Sequence, residues 1–274
     1  MADTTDLAPE ANDSLDQDLD QDLNQNSDPD NSFDSNASTF SYTSNSPNSS
    51  ANCNPDWHGG DQKTWHGTDH DDYLYGSEWN DKIVGGKGND SLFGYAGNDL
   101  LKGGKGDDWL YGGDNDDYLK GEKGNDYLYG EYGNDILKGG EGHDSLSGGD
   151  GNDVLKGEDG HDYLYGGYGD DCLHGGKGND YLSGDYGYDI LKGGAGADIF
   201  NFYSVWEGVD TIKDFNSHEG DKIYVSASGF GVGTGDFHRF SYDSSTSALL
   251  FDGTQFATLN GTSSFDASLD IVIV

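Results

Sequence analysis

Basic residues are scarce in this chain: 14 Lys and Arg stand against 52 Asp and Glu, for a net charge of −38. An excess of that size repels phosphate backbones and anionic lipid, which excludes nucleic acid and an anionic membrane surface as partners. Cysteine is nearly absent. Cys53 falls in an acidic tail and Cys172 on an outer strand position, so no structural disulfide is expected. No apolar run reaches the length of a transmembrane helix, and no membrane span is expected. Catalytic signatures are missing too. There is no H-E-x-x-H and no G-x-S-x-G, and Gly86-Lys87-Gly88 lacks the Ser or Thr that would complete a Walker phosphate loop. The eight histidines are scattered, with His143 and His161 in turns and His174 in place of a strand lysine, and they read as surface residues. What these gaps leave is a chain without an enzyme domain, hence a binding or structural module with no catalytic residue.

The first 56 residues lack Lys and Arg altogether and are rich in Asp, Asn and Ser. Low hydrophobicity with high charge of one sign cannot offset chain entropy, so 1–56 is expected to be a disordered acidic tail. It also lacks the basic and apolar stretches of a cleaved signal peptide, and export by the general secretory route is not expected.

What the chain does have is glycine, 45 of them, in strict phase. From Gly67 to Asn201 one nonapeptide repeats fifteen times without insertion or deletion. Position 1 is always Gly and position 4 is Gly in twelve copies, which marks a backbone that visits positive φ. Position 5 is Asn or Asp in eleven copies, the types next most tolerant of that region. The first six residues therefore read as a tight turn. Position 8 is Leu or Ile in fourteen copies and Phe200 in the last, so positions 7 to 9 read as a three-residue strand with its middle side chain inward.

Strands that short cannot stand alone and must stack. Six residues of turn reverse the chain, so successive strands should fall in two opposed sheets and one coil should take two repeats. The outward positions test this, because they should then repeat every eighteen residues. Position 9 reads Lys102, Lys120, Lys138, Lys156, His174 and Lys192 in alternate copies, against Tyr75, Phe93, Tyr111, Tyr129, Ser147, Tyr165 and Ser183 in the others. The fold class expected is all-β, a parallel β-roll (a two-sheet β-solenoid) over 67–201, with one lysine face and one tyrosine face.

Position 6 is Asp in all fifteen copies: Asp72, Asp81, Asp90, Asp99, Asp108, Asp117, Asp126, Asp135, Asp144, Asp153, Asp162, Asp171, Asp180, Asp189 and Asp198. Stacking sets each about one strand spacing from the next along two edges of the roll, where like charges repel. Counter-ions are required. Carboxylates and free turn carbonyls are hard oxygen ligands that select calcium over transition metals, and magnesium is the weaker candidate. An ion bridging each loop to the loop two repeats on gives at most about thirteen sites.

The motif G-G-x-G-x-D-x-U-x resembles the repeat of the repeats-in-toxin (RTX) calcium-binding family, over 135 of 274 residues. That resemblance implies a calcium-bound β-roll, secretion by a type I transporter through an uncleaved C-terminal signal, and folding after export. It implies as ligands the fifteen position-6 aspartates, assisted by carbonyls of the turn glycines Gly85, Gly88, Gly103, Gly106, Gly121, Gly124, Gly139, Gly142, Gly157, Gly160, Gly175 and Gly178. Position 4 departs from glycine at His70, Trp79 and Asn115, so ions are least expected in those three loops.

The flanks follow the same logic. Residues 57–66 look like a degenerate repeat with Trp65 inward, an N-terminal cap on the roll's open edge. After Asn201 the period breaks, and Phe202 to Val225 resembles the segment after the roll in serralysin-type proteases. Alternating strands at Ala248–Gly253 and Phe256–Leu259 should cover the end of the roll in a C-terminal cap over 202–274. Asp210, Asp214 and Asp221 read as surface carboxylates that could bind a further ion. The terminus Phe265 to Val274 resembles a type I secretion signal and would also serve as an edge strand. The expected function is a secreted, extracellular calcium-binding protein, structural, adhesive or surface-associated. The alternatives are an accessory module or relic of a secreted RTX protease or polysaccharide epimerase, or a glycan binder through Tyr73, Tyr75, Trp109, Tyr111, Tyr127, Tyr129, Tyr163 and Tyr165.

Overall fold

The computed structural model describes residues 63–260 and 265–274. The acidic tail, Cys53 and residues 57–62 of the expected cap lie outside them. Each nonapeptide supplies one strand, and each strand pairs in parallel with the strands eighteen residues before and after. Ser145, for example, stands between Tyr127 and Tyr163. Strands therefore alternate between two sheets, as the eighteen-residue period requires. The first, of twelve strands, runs through those beginning at Lys63, Asp81, Leu100, Tyr118, Ile136, Val154, Cys172 and Ile190. The second, of ten, runs through those beginning at Tyr73, Ser91, Trp109, Tyr127, Ser145, Tyr163, Tyr181 and Ile199. Between them lies a single file of position-8 side chains. From Ile83 to Phe200 each is at most 2% exposed, and each contributes about 1.5–3 kcal/mol of burial. Trp65, paired with Ile83, packs partly buried against this file at the start of the first sheet.

Two local expectations need correction. From Ser91 to Ala195 the strands are six residues long, not three: Ser145–Asp150 runs through position 9 and on into positions 1 to 3 of the next repeat. Only positions 4 to 6 make the reversal, because a left-handed residue at position 2 turns the corner while the ladder continues. In five copies that residue is not glycine: Tyr95, Glu122, Glu131, Glu158 and Asp185 hold φ between 66° and 82°. The stack overrides a cost of about 1–2 kcal/mol at each. Position 5, by contrast, has no positive φ. Its Asn and Asp are there because the side-chain oxygen accepts the position-5 N–H of the next coil, as Asp71 does from Asn89 (2.8 Å) and Asn89 from Asp107 (3.0 Å). Where histidine stands instead, Nδ1 takes the role, His143 accepting from the N–H of His161 at 2.9 Å.

Position 4 is where glycine is indispensable. Gly142 has φ 147°, and a Cβ there would run into the carbonyl oxygen of Gly124 in the coil before. Gly142→Ala is expected to cost more than about 3 kcal/mol in thermal unfolding with calcium present, whereas Glu131→Gly stays within about 1 kcal/mol of the parent.

The two faces differ more than position 9 suggested. All ten lysines of the repeat block lie on strands of the first sheet, in two columns at positions 9 and 3 besides Lys82. Lys102 pairs with Glu122 at 3.0 Å, and Lys138, 3% exposed, holds its ammonium 5.6 Å from the centre of the Tyr118 ring. The strands of the second sheet from Tyr73 to Phe202 contain no Lys or Arg. After Asn201 both sheets continue, so the C-terminal segment extends the roll as well as closing it. Asp210–Ile212 and Thr254–Leu259 extend the first, followed by the antiparallel strands Ala248–Phe251 and Phe240–Asp243. Lys222–Val225 and the terminal edge strand Ile271–Ile273 extend the second.

Candidate metal centre

The position-6 aspartates form two continuous ladders, one on each long edge of the roll. In each, Oδ1 accepts the backbone N–H of the aspartate one coil back: Asp90 from Asp72 at 2.8 Å, Asp144 from Asp126 at 2.8 Å, Asp153 from Asp135 at 2.7 Å. The backbone thus fixes each carboxylate, and leaves its second oxygen facing inward. From Asp90 to Asp198, thirteen Oδ2 atoms are buried with no hydrogen-bond partner. Buried polar atoms almost always have one. A full charge without one costs several kcal/mol.

The space each Oδ2 faces is bounded by position 1. A Cβ on Gly121 would press on Oδ2 of Asp126 and stand 2.7 Å from the carbonyl oxygen of Gly139 in the next coil; one on Gly112 would meet Oδ2 of Asp117 and stand 2.9 Å from the carbonyl oxygen of Gly130. Glycine is kept at position 1 so that a carboxylate and the next coil's carbonyl share one small cradle. The structure thus joins Gly85, Gly103, Gly121, Gly139, Gly157 and Gly175 to the aspartates of their own repeats. The position-4 glycines Gly88, Gly106, Gly124, Gly142, Gly160 and Gly178 form a separate column, in which each carbonyl faces the α-carbon of the next.

Burial, then the carboxylates of neighbouring coils, pushes these groups far above the ordinary range, against the pull of the backbone N–H. Asp108, Asp117, Asp144 and Asp171 rise to about 8, Asp90, Asp99, Asp126, Asp135, Asp162 and Asp198 to about 7, and Asp153 to about 6. Among the described residues no three His, Cys, Asp or Glu side chains gather into a metal cluster. A cation held here would take carboxylate and backbone oxygens alone, the donor set that suits a large hard ion such as calcium.

The first two loops are different. Oδ2 of Asp72 accepts from the N–H (2.6 Å) and hydroxyl (2.8 Å) of Thr68, and Oδ2 of Asp81 from the N–H (2.6 Å) and hydroxyl (2.7 Å) of Ser77. These are two of the three loops singled out by their position-4 residues, yet the hydroxyl at position 2 is what satisfies the carboxylate. The third loop is ordinary: Asn115 takes φ 83° in glycine's place, and Oδ2 of Asp117 is as unpartnered as the rest.

The calcium-binding RTX nonapeptide repeat profile matches at 66–101, 93–128, 111–146, 147–182 and 174–203, together just over half of the chain. The chain belongs to the RTX calcium-binding repeat family. Repeats of this family bind calcium, and the oxygen-lined cradles fit that ion. Among solved structures, the extracellular lipase LipA of Serratia marcescens is 19% identical, with a TM-score of 0.27, over 80% of this chain and 40% of the lipase. The AlgE6R3 subunit of the Azotobacter vinelandii mannuronan C5-epimerase is 21% identical, with a TM-score of 0.18, over 75% of this chain and 80% of the subunit. The RTX chain thus spans about two fifths of the lipase's length. A search of curated protein sequences gave no match.

Beyond the RTX repeats the acidic ladder goes on, which the sequence hid by a change of spacing. Asp210, 21 residues after Asp189, accepts that residue's N–H at 3.2 Å, and Asp221, 23 after Asp198, accepts at 3.0 Å. Both are 3% exposed, so the expectation of surface carboxylates fails for them. Burial and the neighbouring carboxylate of Asp189 raise Asp210. The Asp214 carboxylate caps the last coil, accepting from the N–H groups of Gly193 and Gly194 at 3.0 Å each.

Proposed function

We propose that this chain is a secreted, non-catalytic module whose roll folds only when calcium occupies its edges. The observation that carries this is the set of thirteen buried, unpartnered Oδ2 atoms. The ligands would be Oδ2 of the aspartates from Asp90 to Asp198, joined as far as Asp180 by the position-1 glycine carbonyls of the following coil, with Thr68 and Ser77 leaving the first two loops ion-free. Bound calcium supplies positive charge and replaces the hydrogen bonds these oxygens lack. Everything else is done by the chain: the backbone N–H ladder orients the carboxylates, and the leucine file fixes the spacing. At low calcium the uncompensated charge keeps the repeats open and threadable through a type I exporter, with Phe265 to Val274 as the export signal. At millimolar calcium outside, binding to the folded form alone draws the equilibrium over. Among the described residues no helix is long and apolar enough to cross a membrane.

Ion counting tests the assignment. The folded chain should bind up to about thirteen calcium ions, measured by titration calorimetry with elemental analysis. Asp135→Asn should remove at least one ion and raise the calcium midpoint, while Asp81→Asn changes neither. A larger effect at Asp81 than at Asp135 would refute the assignment of the first loops.

A further inference from the structure

The outer face of the second sheet carries a column of stacked rings. Tyr75, Phe93, Tyr111 and Tyr129 follow one another with centroids 5.0 Å apart at each step and planes within 12°. The column stops at Tyr129: the next coil brings Ser147, and the one after it Tyr165. The position-7 column breaks in the same coil, where Ser145 stands between Tyr127 and Tyr163. A notch one strand wide therefore crosses the face, walled by tyrosines and floored by two serine hydroxyls. Its walls are two strand steps apart, about 9.6 Å. A ring laid over Ser147 would keep the 5.0 Å spacing that the column already uses.

Elsewhere the molecule fills the same kind of step by itself. Ser183 holds the equivalent place in the Tyr181–Tyr186 strand, yet it is 0% exposed. Tyr181, two residues earlier, lays its ring against Tyr165 with centroids 5.8 Å apart. The Ser183 hydroxyl is also taken up, donating to Asp185 at 2.7 Å and accepting from Asn201 of the next coil at 3.4 Å. At Ser147 the residue two earlier is Ser145, which has no ring to offer, and Ser147 stays partly exposed.

We infer that this notch is a carbohydrate subsite that takes one pyranose ring of a neutral polysaccharide. The apolar C–H faces of a sugar stack on tyrosine, and its rim of hydroxyls finds partners in Ser145 and Ser147, with Asp150 further along the same strand and Glu131 on the flanking strand as acceptors. No Lys or Arg lies on the strands from Tyr73 to Tyr186 of this sheet, so an acidic polymer is repelled. An aromatic side chain of a protein partner would fit the walls but leave the hydroxyls and carboxylates unmet. The inference rests on the calcium-loaded roll proposed above, and the two fail separately: loss of the roll shows as lost β-signal, loss of the subsite does not.

The test uses the full chain in calcium, with cellohexaose, chitohexaose, laminarihexaose, maltohexaose and mannohexaose as neutral probes and polygalacturonate as the anionic one, followed by calorimetry. At least one neutral sugar should bind with Kd below about 1 mM. Ser145→Tyr, which brings a ring of the chain's own to the notch as Tyr181 brings one against Tyr165, should weaken that binding by about tenfold or more, and Tyr129→Ala by about tenfold. Tyr73→Ala, at the far end of the face, should leave it unchanged. Circular dichroism and the ion count should be those of the parent throughout. The subsite is overturned if no neutral sugar binds, if Ser145→Tyr binds as well as the parent, or if polygalacturonate binds better than the neutral probes.

Discussion

Dialysed free of calcium at pH 8, the purified chain is expected to lose the β-sheet signal of its roll, and calcium to restore it in one steep transition. The thirteen Oδ2 atoms set the size of this effect. An ionised carboxylate buried without a partner costs several kcal/mol, and a domain's whole stability is about 5–15 kcal/mol. The leucine file cannot carry thirteen such penalties. Ion binding removes them at their source, because the cation neutralises each carboxylate and is the partner its Oδ2 lacks, and binding to the folded form alone draws the equilibrium toward the roll. Steepness follows from geometry. Each cradle joins two coils, so a coil is a ligand only when its neighbour is in register, and single ions gain little. Zinc at the same concentration should give little signal, because neither thiolate nor imidazole lines the cradles. A chain as ordered after calcium removal as before it would end this reading and the export mechanism built on it.

Much of this was legible in the sequence because the period is strict. Alternation of Lys102, Lys120 and Lys138 with Tyr111 and Tyr129 at position 9 was enough to assign two sheets, and the file from Leu92 to Leu191 gave the core. The constant aspartate located the ladders. What stayed hidden depended on contacts between coils. Nothing in glutamate's propensity suggests that Glu122, Glu131 and Glu158 adopt left-handed backbone; the stack imposes it. Position 5 was misread for the same reason, since its role is a hydrogen bond to the next coil. Thr68 and Ser77 differ from glycine by a hydroxyl, whose reach to Asp72 and Asp81 only the folded loop reveals. Asp210 and Asp221 escaped because a ladder read in eighteens does not find steps of 21 and 23. The serines at 145 and 147 were visible as a break in the tyrosines, but only the register, which sets them between Tyr127 and Tyr163 and between Tyr129 and Tyr165, makes that break a notch.

Acid should replace part of what calcium does. Freed of calcium and held dilute, the chain is expected to regain β-signal as pH falls from 8 to 5, while the calcium-loaded chain moves the opposite way. In the ion-free roll burial raises Asp108, Asp117, Asp144 and Asp171 to about 8 and Asp90, Asp99, Asp126 and Asp135 to about 7. In the unfolded chain an aspartate titrates near 3.9. The folded form therefore binds protons that the unfolded form releases, and this contribution to stability is complete below about pH 4 and lost as pH rises through 6 to 8. Protonation removes the uncompensated charge and turns Oδ2 into a hydroxyl able to donate to the carbonyl that shares its cradle. The same proton competes with the ion, so the calcium midpoint should climb as pH drops from 8 to 6. The two responses cross. Circular dichroism at pH 5, 6.5 and 8, with and without calcium, reads both at once. An ion-free chain equally unfolded at pH 5 and pH 8 would show that something other than these thirteen carboxylates holds the roll open.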